Sequence, residues 1–218
     1  MDHELRQFDD DETLATSAAF YVAERARRAI AARGVFTFAV SGGRTPWAMF
    51  AELTTSAMPW DQTVLYQVDE RVAPQGDADR NLTNLLESLG AARPLVNPMP
   101  VNDDDLEAGA RRYASRLPAR LDLVHLGLGP DGHTASLVPG DPVLEVSDRL
   151  VAVTEPYRGH RRMTMTYLAL ALADQILWLI TGADKRDALA KLFAGDTSIP
   201  AGRVEAARSL IMADRAAI

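Results

Sequence analysis

The chain has no cysteine, which excludes disulfides, thiolate nucleophiles and Cys-based metal centres. That fits a reducing cytoplasm, the compartment we expect for it. A basic surplus is missing too. Twenty-three Lys+Arg stand against 30 Asp+Glu, a net charge of −7, so no broad nucleic-acid surface is expected. A local basic pocket for a small anion stays open. Long apolar runs are lacking. Tyr167 to Leu172, continued by Ile176 to Ile180, is interrupted by Asp174 and Gln175 and is too short to span a bilayer. The opening MDHELRQFDDDE has no apolar signal core, so no membrane partner is expected. The four histidines, His3, His125, His133 and His160, show no ligand spacing, and no metal is expected. Of these, His125 lies mid-strand and reads as a core residue. There is no internal repeat and no linker-like tract.

What is present is ample apolar material. At 218 residues and 47% hydrophobic content, one α/β domain over 1–218 is the simplest expectation. Asp9 to Glu12 start a helix whose apolar positions Leu14, Ala18, Val22, Ala26 and Ile30 recur every four residues up to Gly34. Strands are expected at Val35–Val40, Thr63–Val68, Leu121–Leu128, Leu150–Thr154, Ile176–Thr181 and Leu210–Met212. Helices are expected at Trp47–Leu53, Asn81–Leu89, Asp105–Arg116 and Leu168–Ala173, and another opened by Gly182 to Lys185 and running through Phe193. Alternating strands and helices predict a three-layer, doubly wound, mainly parallel sheet with helices on both faces.

The chemistry-bearing residues cluster where predicted strands end. Leu121–Leu128 runs into Gly127, Gly129 and Pro130, then Asp131-Gly132-His133-Thr134 and an expected helix start. The carboxyl edge of a parallel sheet is where open α/β folds bind ligands. His133 is the leading acid/base candidate, although a lone His there also serves to cap a helix. Val35–Val40 leads into Ser41-Gly42-Gly43-Arg44-Thr45-Pro46, with Thr45 expected to cap a helix and Pro46 to open it. This reads equally as a phosphate cradle and as a plain tight turn. It is neither a Walker loop nor a dinucleotide fingerprint. Asp69-Glu70-Arg71 ends the next strand, either as a site or as a mutual salt bridge. Arg158, His160, Arg161 and Arg162 form a basic patch in an acidic chain, fit for a small anion or for solvent. Lys185 in the first turn of a helix is unfavourable to the dipole, which points to an anion nearby.

Together these segments resemble the glucosamine-6-phosphate isomerase/6-phosphogluconolactonase family. The resemblance rests on five motifs in order, nearly end to end: Ser41 to Pro46, Asp69-Glu70-Arg71, Gly127 to Gly140, Arg162-Met163-Thr164 and Thr181 to Lys185. It implies a Rossmann-like fold and hydrolysis of 6-phosphoglucono-1,5-lactone, without a metal or organic cofactor. It also implies that Ser41, Gly42, Gly43, Arg162 and Lys185 hold the phosphate and that His133 is the base. Asp69 and Arg71 would lie in the pocket, and Arg44 would add to the phosphate site. Asp131 and Arg71 are further candidates for the catalytic group. Two positions near the pocket depart from the family pattern: Arg80 precedes Asn81 where Ser is usual, and Val138 stands where Phe is usual.

A lactone is an activated ester, so the chemistry needs a base for water, an oxyanion partner and a handle. Imidazole ordinarily titrates near ~6.5 and suits the first task. The expected partner is a small phosphosugar lactone, with the protein a monomer or weak homodimer. The rival activity in the family is amino-sugar phosphate isomerisation, whose segment after the His carries Phe-Asn-Glu. Here Ala135 to Pro139 has no carboxylate. A non-catalytic sugar-phosphate sensor is the third reading. Only about eleven residues precede the first helix, so no helix-turn-helix is expected.

Overall fold

A computed structural model describes residues 3–218. In chain order it contains β1 (His3–Phe8), α1 (Asp11–Arg33), β2 (Phe36–Val40), α2 (Arg44–Thr55), β3 (Thr63–Gln67) and β4 (Asp69–Arg71). Next come α3 (Asn81–Leu89), β5 (Leu95–Asn97), α4 (Leu106–Ala114), β6 (Leu123–Leu126) and β7 (Val151–Val153). The chain ends with β8 (Arg162–Met165), α5 (Tyr167–Leu170), β9 (Ile176–Ile180), α6 (Arg186–Phe193) and β10 (Ser209–Asp214).

Local signals account for the helices. Asp10 caps α1 by accepting from Thr13 N at 2.8 Å, and the helix stops on Gly34 at φ 78°, where only glycine is unstrained. Leu14, Ala18, Val22 and Ala26 are buried, and Arg27 and Arg28 are exposed, as the period of four demands.

Seven strands form one wholly parallel sheet in the order β1-β10-β9-β6-β2-β3-β5. From β2 the chain builds outward through β3 and β5, then returns to the other side of β2 to lay down β6, β9 and β10. The order therefore reverses between β2 and β6, and their carboxyl ends open a crevice there. One face of the sheet packs Phe36, Phe38, Leu123 and Leu177 against α1, α2 and α3. The other packs Val124, Leu126 and Trp178 against α4, α5, α6 and a second sheet.

That second sheet, antiparallel in the order β4-β8-β7, was not anticipated. Asp69–Arg71 does not simply end β3; it turns out of the main sheet and pairs with Arg162–Thr164. β8, in a segment where no strand is expected from sequence, is buried along its length. β1 and β5 were also missed. Both are edge strands, and β1 is largely exposed with charged residues, so neither carries the apolar run of a central strand. Thr45 is not the cap of α2. Gly43 holds that position, and the Thr45 hydroxyl pairs with that of Thr181 at 3.0 Å. The helix expected after His133 does not form. Gly132 at φ 81° and Ala135 at φ 52° are left-handed, and Thr134 pairs with Leu137 in a tight turn instead.

His125 is the anomaly of the central strand. It lies between Val40 and Leu177, fully buried, as expected for a core residue. Neither ring nitrogen has a partner in hydrogen-bond geometry. Burial pushes its pKa down to about 3, and the nearby Ser41 main chain offsets this only in part. An unfolded histidine titrates near 6.5, so below that pH the unfolded chain gains a proton that the fold refuses. Stability is then lost as pH falls from 6.5 toward about 3. We expect His125→Leu to be as stable as the native chain or more so at neutral pH, with a shallower decline on acidification. Urea midpoints at pH 7 and pH 5 check this, and an unchanged pH dependence would count against it.

Candidate active site

At the crevice the carboxyl ends of β2, β6 and β9 meet β4 and β8 around an open cavity of about 440 Å³. Nine of the ten residues singled out by sequence line it: Ser41, Gly42, Gly43, Arg44, Asp69, Arg71, His133, Arg162 and Lys185. The tenth, Asp131, stands behind His133 rather than on the wall. Asn81 and Asp184 also line the cavity, and neither stands out in the sequence as a site residue; Arg158, from the basic patch, lines it too.

The first wall is the turn into α2. Gly43 sits at φ 136° and no side chain caps the helix, so the first N–H groups of its opening turn are left to the cavity. A Cβ on Gly42 would lie 2.0 Å from Asn81 Oδ1, which is why glycine is needed there. Ser41 is less free than the sequence implied. Its N–H donates to His125 O at 3.3 Å and its hydroxyl donates to Asp69 Oδ1 at 3.0 Å.

The second wall is held from below by two buried carboxyl groups. Asp69 also accepts from Ser136 Oγ at 2.7 Å and from Asn81 Nδ2 at 3.5 Å. Glu70, fully buried, accepts from Gln67 Nε2 and from the N–H groups of Arg71, Asn81 and Leu82, all at 2.8–2.9 Å. It thereby caps α3, and Arg80 Nε lies 3.0 Å from it. Arg80 also donates to Ala73 O and Asn102 Oδ1. The unusual Arg80 is thus a buried countercharge beneath the site, and Val138 is buried away from the cavity wall.

The third wall carries the imidazole. Gly129 N donates to His133 O at 2.8 Å, and a Cβ on Gly129 would lie 2.0 Å from His133 Nδ1. His133 Nδ1 is 2.5 Å from Asp131 Oδ1. Partial burial alone would raise the Asp131 pKa, but the hydrogen bond and charge of His133 outweigh it and hold the carboxyl below its usual range. A carboxylate accepts only, so Nδ1 is the donor, and in the neutral ring Nε2 carries the lone pair.

The remaining groups are cations. Lys185 ends the short turn before α6, 3.0 Å from Asp184. Arg162 is buried, with Nε unpartnered. Burial lowers its pKa, Asp69 pulls the other way, and Arg71 and Arg158 add to the lowering. A buried guanidinium beside two others is a place where a bound anion would relieve charge. The basic patch expected over 158–162 divides. Arg158 and Arg162 line the cavity, whereas Arg161 is exposed and His160 turns to Asp79 and Val72 O. Among the described residues, no group of three or more His, Asp or Glu is placed to hold a metal.

The family model for glucosamine-6-phosphate isomerases/6-phosphogluconolactonase matches residues 9–212. The chain belongs to this family. It is 39% identical over 194 residues to a 6-phosphogluconolactonase of Mesorhizobium japonicum, covering 83% of this chain and 81% of the relative. It is 36% identical over 188 residues to one of Synechocystis, covering 79% and 78%. In fold it is similar to the crystal structure of the Thermotoga maritima 6-phosphogluconolactonase, with a TM-score of 0.89 at 24% identity, over 98% of this chain and 100% of that one. The family's phosphosugar chemistry suits a cavity walled by an open helix terminus and five cations.

The Glu70–Arg80 pair gives a test of what supports this wall. Arg80→Met should leave Glu70 buried without a countercharge and cost on the order of 3 kcal/mol. Chemical denaturation measures it, and a loss below about 1 kcal/mol would show that the four donors to Glu70 suffice alone.

Proposed function

We propose that the protein hydrolyses 6-phospho-D-glucono-1,5-lactone to 6-phosphogluconate, the second step of the oxidative pentose phosphate pathway, in the cytoplasm. The observation that carries this reading is His133, held at Nδ1 by Asp131, on the wall of a cavity that also carries five cations and an open helix terminus.

In this reading Lys185, Arg162 and Arg44 take the phosphate together with the N–H groups of Gly43 and the first turn of α2. That handle fixes the lactone with C1 toward His133. Nε2 accepts a proton from water as the water oxygen bonds to C1, and the carbonyl electrons move onto oxygen. Arg71 or loop N–H groups stabilise the oxyanion. The intermediate then collapses, the C1–O5 bond breaks, and the imidazolium returns its proton to the departing ring oxygen. The product acid ionises in solution. General base catalysis supplies ~10²–10⁴-fold, with orientation by the handle adding to it. The sister activity of the family, amino-sugar phosphate isomerisation, is disfavoured here because Ala135 to Pro139 offers no carboxylate to assist ring opening.

We expect His133→Ala to lose most hydrolysis above the spontaneous rate while still binding phosphosugar, and EDTA to change nothing. Activity within a few fold of the native protein would remove His133 from the mechanism. For Lys185→Ala we expect mainly a raised KM, by about 10–100-fold, as for one charged hydrogen bond of 1.5–3 kcal/mol. The lactone without phosphate is the control. Equal impairment on both lactones would move Lys185 from the handle to the chemistry.

A further inference from the structure

Tyr157 lies just outside the cavity wall, on no element that the mechanism above uses. It opens a two-residue turn, with Tyr157 N donating to His160 O at 2.9 Å and the reverse bond at 3.3 Å. Arg158 and Gly159 fill the turn at φ 49° and 86°. Two successive left-handed residues make the tight hairpin geometry that glycine adopts freely and arginine does not. The far end is tied down. His160 approaches Val72 O at 3.3 Å and Asp79 Oδ2 at 3.1 Å.

The side chain so placed makes three contacts. Its hydroxyl donates to Asp131 Oδ2 at 3.4 Å, the oxygen that His133 does not use. Its ring meets His133 edge-on, with centroids 5.8 Å apart. The guanidinium carbons of Arg158 and Arg162 stand 5.1 and 5.2 Å from its ring centre. We propose that Tyr157 is a positioning residue, one side chain that orients the Asp131–His133 pair through its hydroxyl and seats Arg158 and Arg162 through its ring. It rests on the lactonase reading only in that the same His is the base.

The two halves of this role separate experimentally. A donor on Oδ2 spreads the Asp131 charge and weakens its hold on a protonated His133. Without it, Asp131 holds the imidazolium better and His133 gives up its proton at higher pH. The groups facing His133 are Asp131 on its own loop, Tyr157 and Arg158 on the turn and, around the cavity, Arg162, Arg71, Asp69, Arg44, Asp184 and Lys185. The substitution leaves all the others in place. Tyr157→Phe removes the hydroxyl and keeps the ring, whereas Tyr157→Leu removes both. Cation–π contacts to the ring seat the two arginines, so only the Leu variant loses them.

The deciding experiment is an NMR titration of the His133 ring in the substrate-free native protein and in Tyr157→Phe, followed by pH profiles of kcat/KM. The expected result is an upward shift of the His133 midpoint by about half a unit in Tyr157→Phe, with the acid limb of kcat/KM moving the same way. Tyr157→Leu should in addition raise KM several-fold. Identical His133 midpoints in the native and Phe proteins overturn the proposal, whatever the activity. A shifted midpoint in a protein that does not hydrolyse the lactone would sustain the positioning role and refute the lactonase reading instead.

Discussion

Where β3 gives way to β4, the Asp69 carboxyl group is buried among donors drawn from three different segments. Ser41 comes from the turn before α2, Asn81 from the start of α3 and Ser136 from the loop that carries His133. The three segments follow β2, open α3 and follow β6 respectively. A net hydrogen bond is worth only ~1 kcal/mol, but a shared acceptor counts for more, because its loss leaves several buried donors unsatisfied at once. The geometry of the cradle and the geometry of the imidazole loop are therefore fixed by the same carboxyl group.

The rest of the site builds outward from that node. Asn81, held by Asp69, fills the space above Gly42 that a Cβ would need, so the cradle backbone and α3 interlock. Glu70, the next residue, faces away and caps α3 with Arg80 as its countercharge. Arg162 pairs with Arg71 across the small antiparallel sheet and lies within the electrostatic reach of Asp69. The small sheet thus places two guanidiniums at the crevice that a helix on that face would not deliver.

Much of this could be read from the sequence, for local reasons. The glycines at 42, 43, 129 and 132 stand where backbone crowding or positive φ requires them, and the polar residues between them stand at strand ends. The buried parallel strands announced themselves as apolar runs. What escaped was non-local. β4 and β8 are three and four residues long and exist only as partners, and β1 looks like an acidic lead-in until β10 pairs with it. The helix expected after His133 was a propensity argument that two left-handed residues and a Thr134–Leu137 turn override. The Glu70–Arg80 pair is not legible because nothing in the spacing of the two shows that tertiary packing will bury them together.

Asp69 joins three segments, and amide hydrogen exchange in Asp69→Ala tests that directly. The expected result is faster exchange at Ser41, Asn81, Leu82, Ser136 and Leu137 together, with β9 and β10 as protected as in the native protein. Faster exchange confined to the immediate neighbours of position 69, with the cradle and the His133 loop unchanged, would contradict it.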